Sequence, residues 1–140
     1  MIDIQAINER TIGEHDIHVH AFVKKRKERL CPHCQSTKIE VYMDVIRFIL
    51  DTPIDGKRRF ILLMAKRYKC ARCFKTFDER CDDLYPGHGM TRRMAEWIDR
   101  QRVNGMSMYR MAKETGMDEG FFRSYFKRKA AQNEKQANEG

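Results

Sequence analysis

Apolar and polar residues alternate through much of the first half of the chain, with the period of two that is typical of a half-buried β-strand. The alternation predicts one strand within residues 14–23, a second that begins at Ile39 and a third over residues 59–68. Residues 1–14 predict a short strand or a loop that packs against the next segment. The segment 52–56 predicts a tight turn, because its proline fixes φ and its Asp-Gly pair tolerates a positive φ.

Beyond about residue 86 the apolar spacing becomes helical, and each of three predicted helices begins after a residue that is typical of an N-cap. Thr91 precedes the first helix, which extends to about Val103. Ser107 precedes a short second helix that stops at Gly116. Asp118 precedes the third, which has aromatic residues on one side and basic residues on the other.

The charge of the chain indicates its kind of partner. Among 140 residues, 28 lysines and arginines against 20 aspartates and glutamates give a formal net charge of +8. Such a charge favours a polyanion as the binding partner and says nothing about the fold. No apolar run approaches the roughly 18 residues of a membrane span, and the first residues show no secretory signal. We therefore expect a cytoplasmic protein that makes no membrane contact and keeps its cysteines reduced.

Four of the five cysteines form two Cys-x-x-Cys pairs, Cys31 with Cys34 and Cys70 with Cys73, which are separated by 35 residues. A tetrahedral zinc ion binds four thiolates at about 2.3 Å, and each pair can supply two of them from one turn. The intervening segment has room for two strands and a turn, which is the layout of a zinc ribbon. We therefore predict one structural Zn²⁺ held by these four cysteines.

Other interpretations of the cysteines and of a nearby histidine stay open. A thioredoxin-like redox pair needs a βαβ context, which the pattern does not show. An open catalytic zinc site keeps a water position and binds through histidine or carboxylate ligands. His33 lies inside the first pair and could replace a cysteine as a ligand. Cys81 lies outside both pairs and is expected to be a small, partly buried residue.

These patterns together predict an α+β fold, in which a small antiparallel zinc-ribbon sheet is followed by a three-helix helix-turn-helix domain. The expected boundaries are residues 1–85 for the N-terminal strands and zinc ribbon, and residues 86–130 for the helices. Residues 131–140 are rich in Gln, Asn, Glu and Lys and lack large apolar side chains, so we expect a disordered tail there.

The second and third predicted helices fit a helix-turn-helix unit. Ala112 is small enough for a close helix crossing, and Gly116, four positions later, tolerates a positive φ in the turn. Apolar residues at matching positions would hold the two helices together, namely Met111, Met117, Phe122 and Tyr125. The alternative is a plain helical hairpin whose apolar residues are only core and whose basic residues are only a solvated face.

A helix-turn-helix unit would place its second helix in the major groove of DNA. Arg123 is the best candidate for reading a base, since a guanidinium can form two hydrogen bonds with guanine. Arginines of the first helix and the basic run before Cys31 are expected to contact phosphates or solvent. The predicted DNA-contacting residues are Glu119, Gly120, Arg123, Ser124, Lys127 and Arg128 on the third helix, Arg92 and Arg93 on the first, and Lys24, Lys25, Arg26 and Lys27 in the basic run.

Over about residues 14–130 the chain resembles the N-terminal part of ISL-three-family insertion-sequence transposases. The resemblance rests on Cys-Pro-His-Cys-Gln-Ser from Cys31, on Asp51, Pro53 and Gly56 in the turn, on Lys75, Thr76, Phe77 and Glu79 after the second cysteine pair, and on Thr91, Arg92 and Arg93. It implies a zinc ribbon and a helix-turn-helix that recognise the terminal inverted repeats of the element. It also implies a later DDE catalytic domain, which this sequence does not contain, so we expect no enzyme here.

We therefore predict a sequence-specific, double-stranded DNA-binding protein, derived from a transposase, that regulates transcription or transposition. A homodimer could form, because many such proteins bind paired half-sites. Two alternatives stay open. One is a zinc-ribbon adaptor that binds another protein, and the other is a DNA-end-binding fragment of a transposase that acts with a separate catalytic subunit.

Overall fold

The computed structural model describes residues 1–25 and 29–139. In these residues the strands come first and the helices follow. The strands are β1 (Ile4–Ile12), β2 (Asp16–Val23), β3 (Ile39–Ile54), β4 (Lys57–Cys70), β5 (Thr76–Asp78), β6 (Leu84–Tyr85) and β7 (Met90–Thr91). The helices are α1 (Arg92–Val103), α2 (Met108–Thr115) and α3 (Glu119–Glu139).

All of these strands belong to one mixed sheet with the order β1-β2-β4-β3-β7-β6, and β5 pairs with β4. β2 runs parallel to β4, and β3 runs parallel to β7. The prediction of a small, separate antiparallel zinc-ribbon sheet followed by a helix-turn-helix domain is therefore wrong. Alternation identifies β2, β3 and β4, but the pairing of β2 with β4 joins segments far apart in sequence, which local periodicity does not encode.

The long hairpin of β3 and β4 forms the centre of this sheet. Its loop consists of Asp55 and Gly56, between the paired residues Ile54 and Lys57. Their φ angles of 50° and 74° have the positive sign that a type I′ hairpin turn requires. The turn is thus the last two residues of the predicted segment 52–56.

The two edges of the sheet meet through Asp83, which directly precedes β6. Its carboxylate accepts hydrogen bonds from the backbone N–H groups of Ile2, Asp3 and Ile4, at 3.0, 2.6 and 2.8 Å. Ile4 of β1 and Leu84 of β6 accordingly belong to one buried cluster on the concave side of the sheet. Because its two edges meet, the sheet is curved, and a short chain can enclose a core on its inner side.

The helices cover the opposite face of the sheet. Leu50 and Phe60, which pair across β3 and β4, are buried against residues of the helices, whereas their neighbours Ile49 and Ile61 belong to the first cluster. This division follows from the alternation of side chains along a strand. α1 and α2 begin and end close to the predicted positions. α3 begins where predicted but continues to Glu139, through the segment for which the composition predicts a disordered tail.

No helix within the described part of the chain is both long enough and apolar enough to cross a membrane.

Candidate metal centre and nucleic-acid surface

The sulfur atoms of the four paired cysteines lie together at the far end of the β3–β4 hairpin. The Sγ atoms of Cys31 and Cys73 are 3.6 Å apart, and those of Cys34 and Cys70 are 3.5 Å apart. All four ligand atoms lie within 4.8 Å of one another. A tetrahedral ion with metal–sulfur bonds of about 2.3 Å places its sulfurs about 3.8 Å apart. The four cysteines therefore form a possible metal site of tetrahedral size.

Two turns with the same backbone plan hold these sulfurs: the first knuckle, residues 31–36, and the second knuckle, residues 70–75. In each, the N–H of the first cysteine donates to the carbonyl five residues later, at 3.0 Å in both. The residue two positions after that cysteine donates its N–H to the cysteine sulfur, His33 to Cys31 and Arg72 to Cys70, at 3.4 Å in both. Backbone N–H groups directed at sulfur stabilise a thiolate, so both turns favour a cation between them.

Each knuckle also contains a left-handed residue directly after its second cysteine. Gln35 has a φ of 60° and Phe74 a φ of 63°. A positive φ is uncommon for residues other than glycine, and it lets each turn close on itself. The N–H groups of Gln35 and Phe74 donate to the carbonyls of Cys31 and Cys70, at 2.8 and 3.0 Å.

Cys70 and Cys34 differ in acidity before a metal binds, as their pKa values show. The N–H of Cys73 lowers the pKa of Cys70 most, burial opposes it, and the N–H of Arg72 with neighbouring thiols brings the pKa to about 6. For Cys34, the N–H of Ser36 lowers the pKa, but burial and the neighbouring cysteine sulfurs outweigh it and raise the pKa to about 11. Since all four ligands must be thiolates, metal binding releases protons.

His33 and Cys81 are not members of this group of four. Cys81 packs against the buried cluster on the concave side of the sheet. Burial is the main reason that its pKa rises to about 11, so the thiol is protonated at neutral pH. This agrees with the prediction of a small, partly buried residue.

A cleft of about 930 Å³ lies beside the metal site. Its apolar lining consists mainly of Leu30, Pro32, Ile39, Tyr68 and Phe77. The guanidinium of Arg29 lies over the Tyr68 ring at 5.0 Å, and the Tyr68 hydroxyl donates to Glu79 at 3.1 Å.

The turn between α2 and α3 packs directly on the sheet. Gly116 ends α2 with a φ of 73°, and its N–H donates to the carbonyl of Ala112 at 3.0 Å. A Cβ at this position would lie 2.6 Å from the Cδ of Arg58. Arg58 is itself fixed by Asp16, whose carboxylate accepts from its Nε at 2.6 Å. Gly116 is thus needed both for its φ and for the close approach of Arg58.

One side of α3 is buried and the other faces solvent. Asp118 accepts a hydrogen bond from the N–H of Phe121 at 2.9 Å and so caps the helix. Phe122 and Tyr125 are fully buried. The opposite side bears four exposed residues at the spacing of one helix face, here called the α3 ridge: Gly120, Arg123, Ser124 and Lys127.

The other predicted DNA-contacting residues lie in several environments. Glu119, next to the ridge, accepts from Arg123 at 3.3 Å. Arg128 donates to the carbonyl of Gly87 at 3.2 Å, and Arg92 donates to that of Asp82 at 2.7 Å. Arg93 forms an ion pair with Asp51.

Within the basic run, Lys24 and Lys25 are exposed. Arg26 and Lys27 lie outside the described residues.

Sequence reasoning missed a basic surface on the knuckles themselves. Lys38, Arg72 and Lys75 are exposed, and among the described residues no carboxylate lies within ion-pair distance of them. Phe74 stands among them with 70% of its surface exposed. The signal was present in the sequence, because two of the cations and the aromatic ring lie within or directly after the second cysteine pair.

Comparison with models of protein families, with curated proteins and with solved structures gives no match to this chain. The resemblance to ISL-three-family transposases therefore stays a prediction that rests on the motifs alone.

Proposed function

We propose that this protein binds double-stranded DNA sequence-specifically, with α3 in the major groove, and acts as a transposase-derived regulator of transcription or transposition. The α3 ridge is the observation that carries the proposal. It combines an exposed guanidinium, a hydroxyl and an ammonium group with a glycine that allows close approach to the bases. These are groups that form hydrogen bonds with base edges and phosphates.

The packing of the helices supports the same function. α3 is anchored through Phe122 and Tyr125, and the turn before it is fixed by Gly116 against Arg58. A recognition helix needs such a rigid support, because base contacts tolerate little displacement. The net charge of +8 adds a long-range attraction to DNA.

We further propose that the metal is one structural Zn²⁺. Four sulfur ligands at tetrahedral spacing suit zinc and leave no open position for a substrate or water. Zinc binding can contribute about 10–16 kcal/mol to the folding of small domains. The ion would fix both knuckles to the end of the hairpin and so define the shape of this end of the sheet.

The test is a selection from a library of randomised duplexes with the zinc-loaded full chain, followed by titrations with the selected duplex. We expect an enriched motif. Arg123→Ala is expected to lose about 1–3 kcal/mol of affinity for it and to relax the preference at one base pair. Absence of an enriched motif would contradict the proposal, and an unchanged preference in the variant would exclude Arg123 from base reading.

Arg110→Ala is the matched control. Arg110 lies on α2 with 69% of its side chain exposed, against 66% for Arg123, and each arginine pairs with a glutamate four residues away. Both substitutions remove one exposed helical charge and one weak ion pair. We expect the control to retain the base preference of the unmodified protein.

The cleft beside the metal site favours a second candidate function, that of an adaptor which binds another protein beside the two knuckles. Its lining combines the rings of Tyr68 and Phe77 with charged residues of both signs, among them Arg29 and Glu79, and such a mixture suits a peptide segment. Binding of a protein partner that persists at high salt, together with no enriched duplex, would favour this function.

A further inference from the structure

Between the helices and the knuckles, β3 has an open edge. On one side β3 pairs with β4 along most of its length, and on the other side it pairs, among the described residues, with β7 at Leu50. The N–H of Leu50 donates to the Gly89 carbonyl at 3.0 Å, so the backbone groups of Leu50 point away from β4. Because this orientation alternates along an antiparallel strand, those of Asp44, Ile46 and Phe48 point the same way. In the described part of the chain these groups have no hydrogen-bond partner.

This open edge, residues 44–48, is poorly protected against pairing with another strand. Ile46 is 74% exposed and Phe48 is 54% exposed. Proteins commonly protect an exposed edge with charged residues, proline or a bulge. The other long edge strand, β1, has such protection, because it contains a bulge after Ala6 and carries Glu9 and Arg10 near its centre. The open edge of β3 instead presents large apolar side chains beside unpaired backbone groups.

A second copy of β3 fits this edge in antiparallel orientation. The regular part of the edge is bounded by the bulge at Tyr42 and by the pairing of Leu50 with β7, and Ile46 lies midway between these two limits. A two-fold axis at Ile46 places this residue opposite its equivalent in the other copy and Asp44 opposite Phe48. All of these residues direct their backbone groups across the edge, so each opposed pair can exchange two N–H···O bonds.

The side chains select the same register. An axis at Asp44 or at Arg47 would place like charges directly opposite each other, which destabilises strand pairing. An axis one residue before Ile46 would place Phe48 against the bulge of the other copy. The axis at Ile46 avoids these conflicts and brings Phe48 diagonally next to Ile46 of the other copy, a favourable pairing of an aromatic with a β-branched side chain. The edge is therefore complementary to itself, which favours a second copy over an unrelated strand.

From these observations we propose that the chain forms a homodimer in which the two open edges of β3 pair antiparallel about a two-fold axis at Ile46 and join the two sheets. Because both copies use the same edge, the contact closes as a dimer and does not propagate. A contact of one short strand pair is smaller than the roughly 1,200 Å² of a stable interface, so the dimer should dissociate on dilution. This inference goes beyond the proposed function and holds whether or not α3 binds DNA.

Sedimentation velocity of the zinc-loaded full chain over a series of concentrations tests the proposal with three variants. Ile46→Lys places two ammonium groups directly opposite each other at the axis. Met64→Lys is a control on the same face, because Met64 pairs with Ile46 across β3 and β4, is 48% exposed and lies away from the edge. Ile7→Lys is a control on the other edge strand, where Ile7 is 53% exposed.

We expect the unmodified protein to dimerise as its concentration rises. Ile46→Lys should raise the dissociation constant of the dimer at least about tenfold, and both controls should leave it unchanged. A monomer at every concentration, or a dimer that Ile46→Lys does not weaken, would overturn the proposal. Equal weakening by Met64→Lys would indicate packing of the sheet faces, and weakening by Ile7→Lys would indicate pairing through β1, and either result would overturn pairing through β3.

Hydrogen exchange measured residue by residue provides a second readout. The amides of Ile46 and Phe48 point across the open edge, so they should exchange more slowly at high protein concentration than at low concentration. The amides of Val45 and Arg47 point towards β4 and should be protected at both concentrations. Exchange at Ile46 and Phe48 that does not depend on concentration would contradict the pairing.

Discussion

The buried carboxylate of Asp51 and the partly exposed guanidinium of Arg93 form an ion pair that connects the end of β3 to the first turn of α1. The Asp51 side chain is completely buried. It also accepts from the Thr91 hydroxyl at 2.8 Å and lies 3.3 Å from Nε of Arg59. Thr91 in turn caps α1 by accepting from the N–H of Met94 at 3.1 Å. One carboxylate therefore sets the position of the first helix on the sheet.

Asp51→Asn is expected to lower the free energy of unfolding by about 1–3 kcal/mol, because a neutral amide loses the charged interactions with Arg93 and Arg59, of which water screens part at the Arg93 side chain, 42% exposed. Urea unfolding at pH 7 with excess zinc measures the change. Asp78→Asn is the control, since its ion pair with Arg67 is about half exposed and should contribute at most about 1 kcal/mol. If both variants lost the same free energy of unfolding, Asp51 would contribute no more to stability than an exposed ion pair does.

The contribution of Asp51 should depend on pH in a defined direction. Burial alone would raise the pKa of this carboxyl, but hydrogen bonds from Arg93 and Thr91 and the charges of Arg93 and Arg59 outweigh it and lower the pKa. A lowered pKa stabilises the folded state above the ordinary aspartate pKa of about 3.9, and this stabilisation is lost as the pH falls through the lowered value.

The difference in stability between the unmodified protein and Asp51→Asn should therefore be constant from pH 7 to about pH 5 and narrow below about pH 4. Urea unfolding of both proteins across this range tests it. If the difference in free energy of unfolding between the two proteins increased as the pH fell, the lowered pKa of Asp51 would be contradicted.

Gly116→Ala is expected to destabilise the protein by about 1–2 kcal/mol, through a strained positive φ and the displacement of the Arg58 side chain from its ion pair with Asp16. Gly105 supplies the control, because it has a φ of 88° but open space around the position of a Cβ. Gly105→Ala should cost only the backbone strain of about 1 kcal/mol. Thermal unfolding measures the loss of stability in both variants. Equal losses would disprove the close packing of Gly116 against Arg58.

The parts that local sequence could predict are those set by single residues and short spacings. Thr91, Ser107 and Gly116 give the helix ends, because caps act over one turn. Each Cys-x-x-Cys pair likewise predicts two sulfurs from one turn, whereas the meeting of the two pairs was predicted from the four ligands that a zinc ion binds.

Long-range pairing explains what the sequence did not reveal. The sequence indicates only that Asp51 belongs to a turn, because nothing near it along the chain points to Arg93 as its partner. The closure of the sheet by Asp83 and the parallel pairing of β2 with β4 likewise join residues that are distant along the chain.

Removal of the metal is expected to unfold the knuckle end of the protein. The zinc-loaded protein should contain one metal per chain by elemental analysis, and a strong chelator should lower its Tm. Cys70→Ser should abolish stoichiometric binding, whereas Cys81→Ser should retain it, because Cys81 lies outside the group of four. A protein that folds equally well without metal would contradict the metal site.

Metal affinity should also fall at lower pH. The Cys34 thiol, with its pKa raised to about 11, must release a proton when the metal binds at neutral pH. Affinity should therefore drop by at least about tenfold for each unit of pH below 7. Competition with a chromogenic chelator at several pH values measures this, and a pH-independent affinity would show that the ligands are already thiolates in the free protein.

The most direct test of the account is the ratio of two affinities of the zinc-loaded full chain, one for its selected duplex and one for a duplex of the same composition in scrambled order. Both are measured at the same salt concentration, because phosphate contacts make each affinity salt-dependent. We expect the protein to bind the selected duplex at least about 1,000 times more tightly than the scrambled one. Equal affinity for the two duplexes would mean that the α3 ridge does not read a sequence, and would contradict the proposed function.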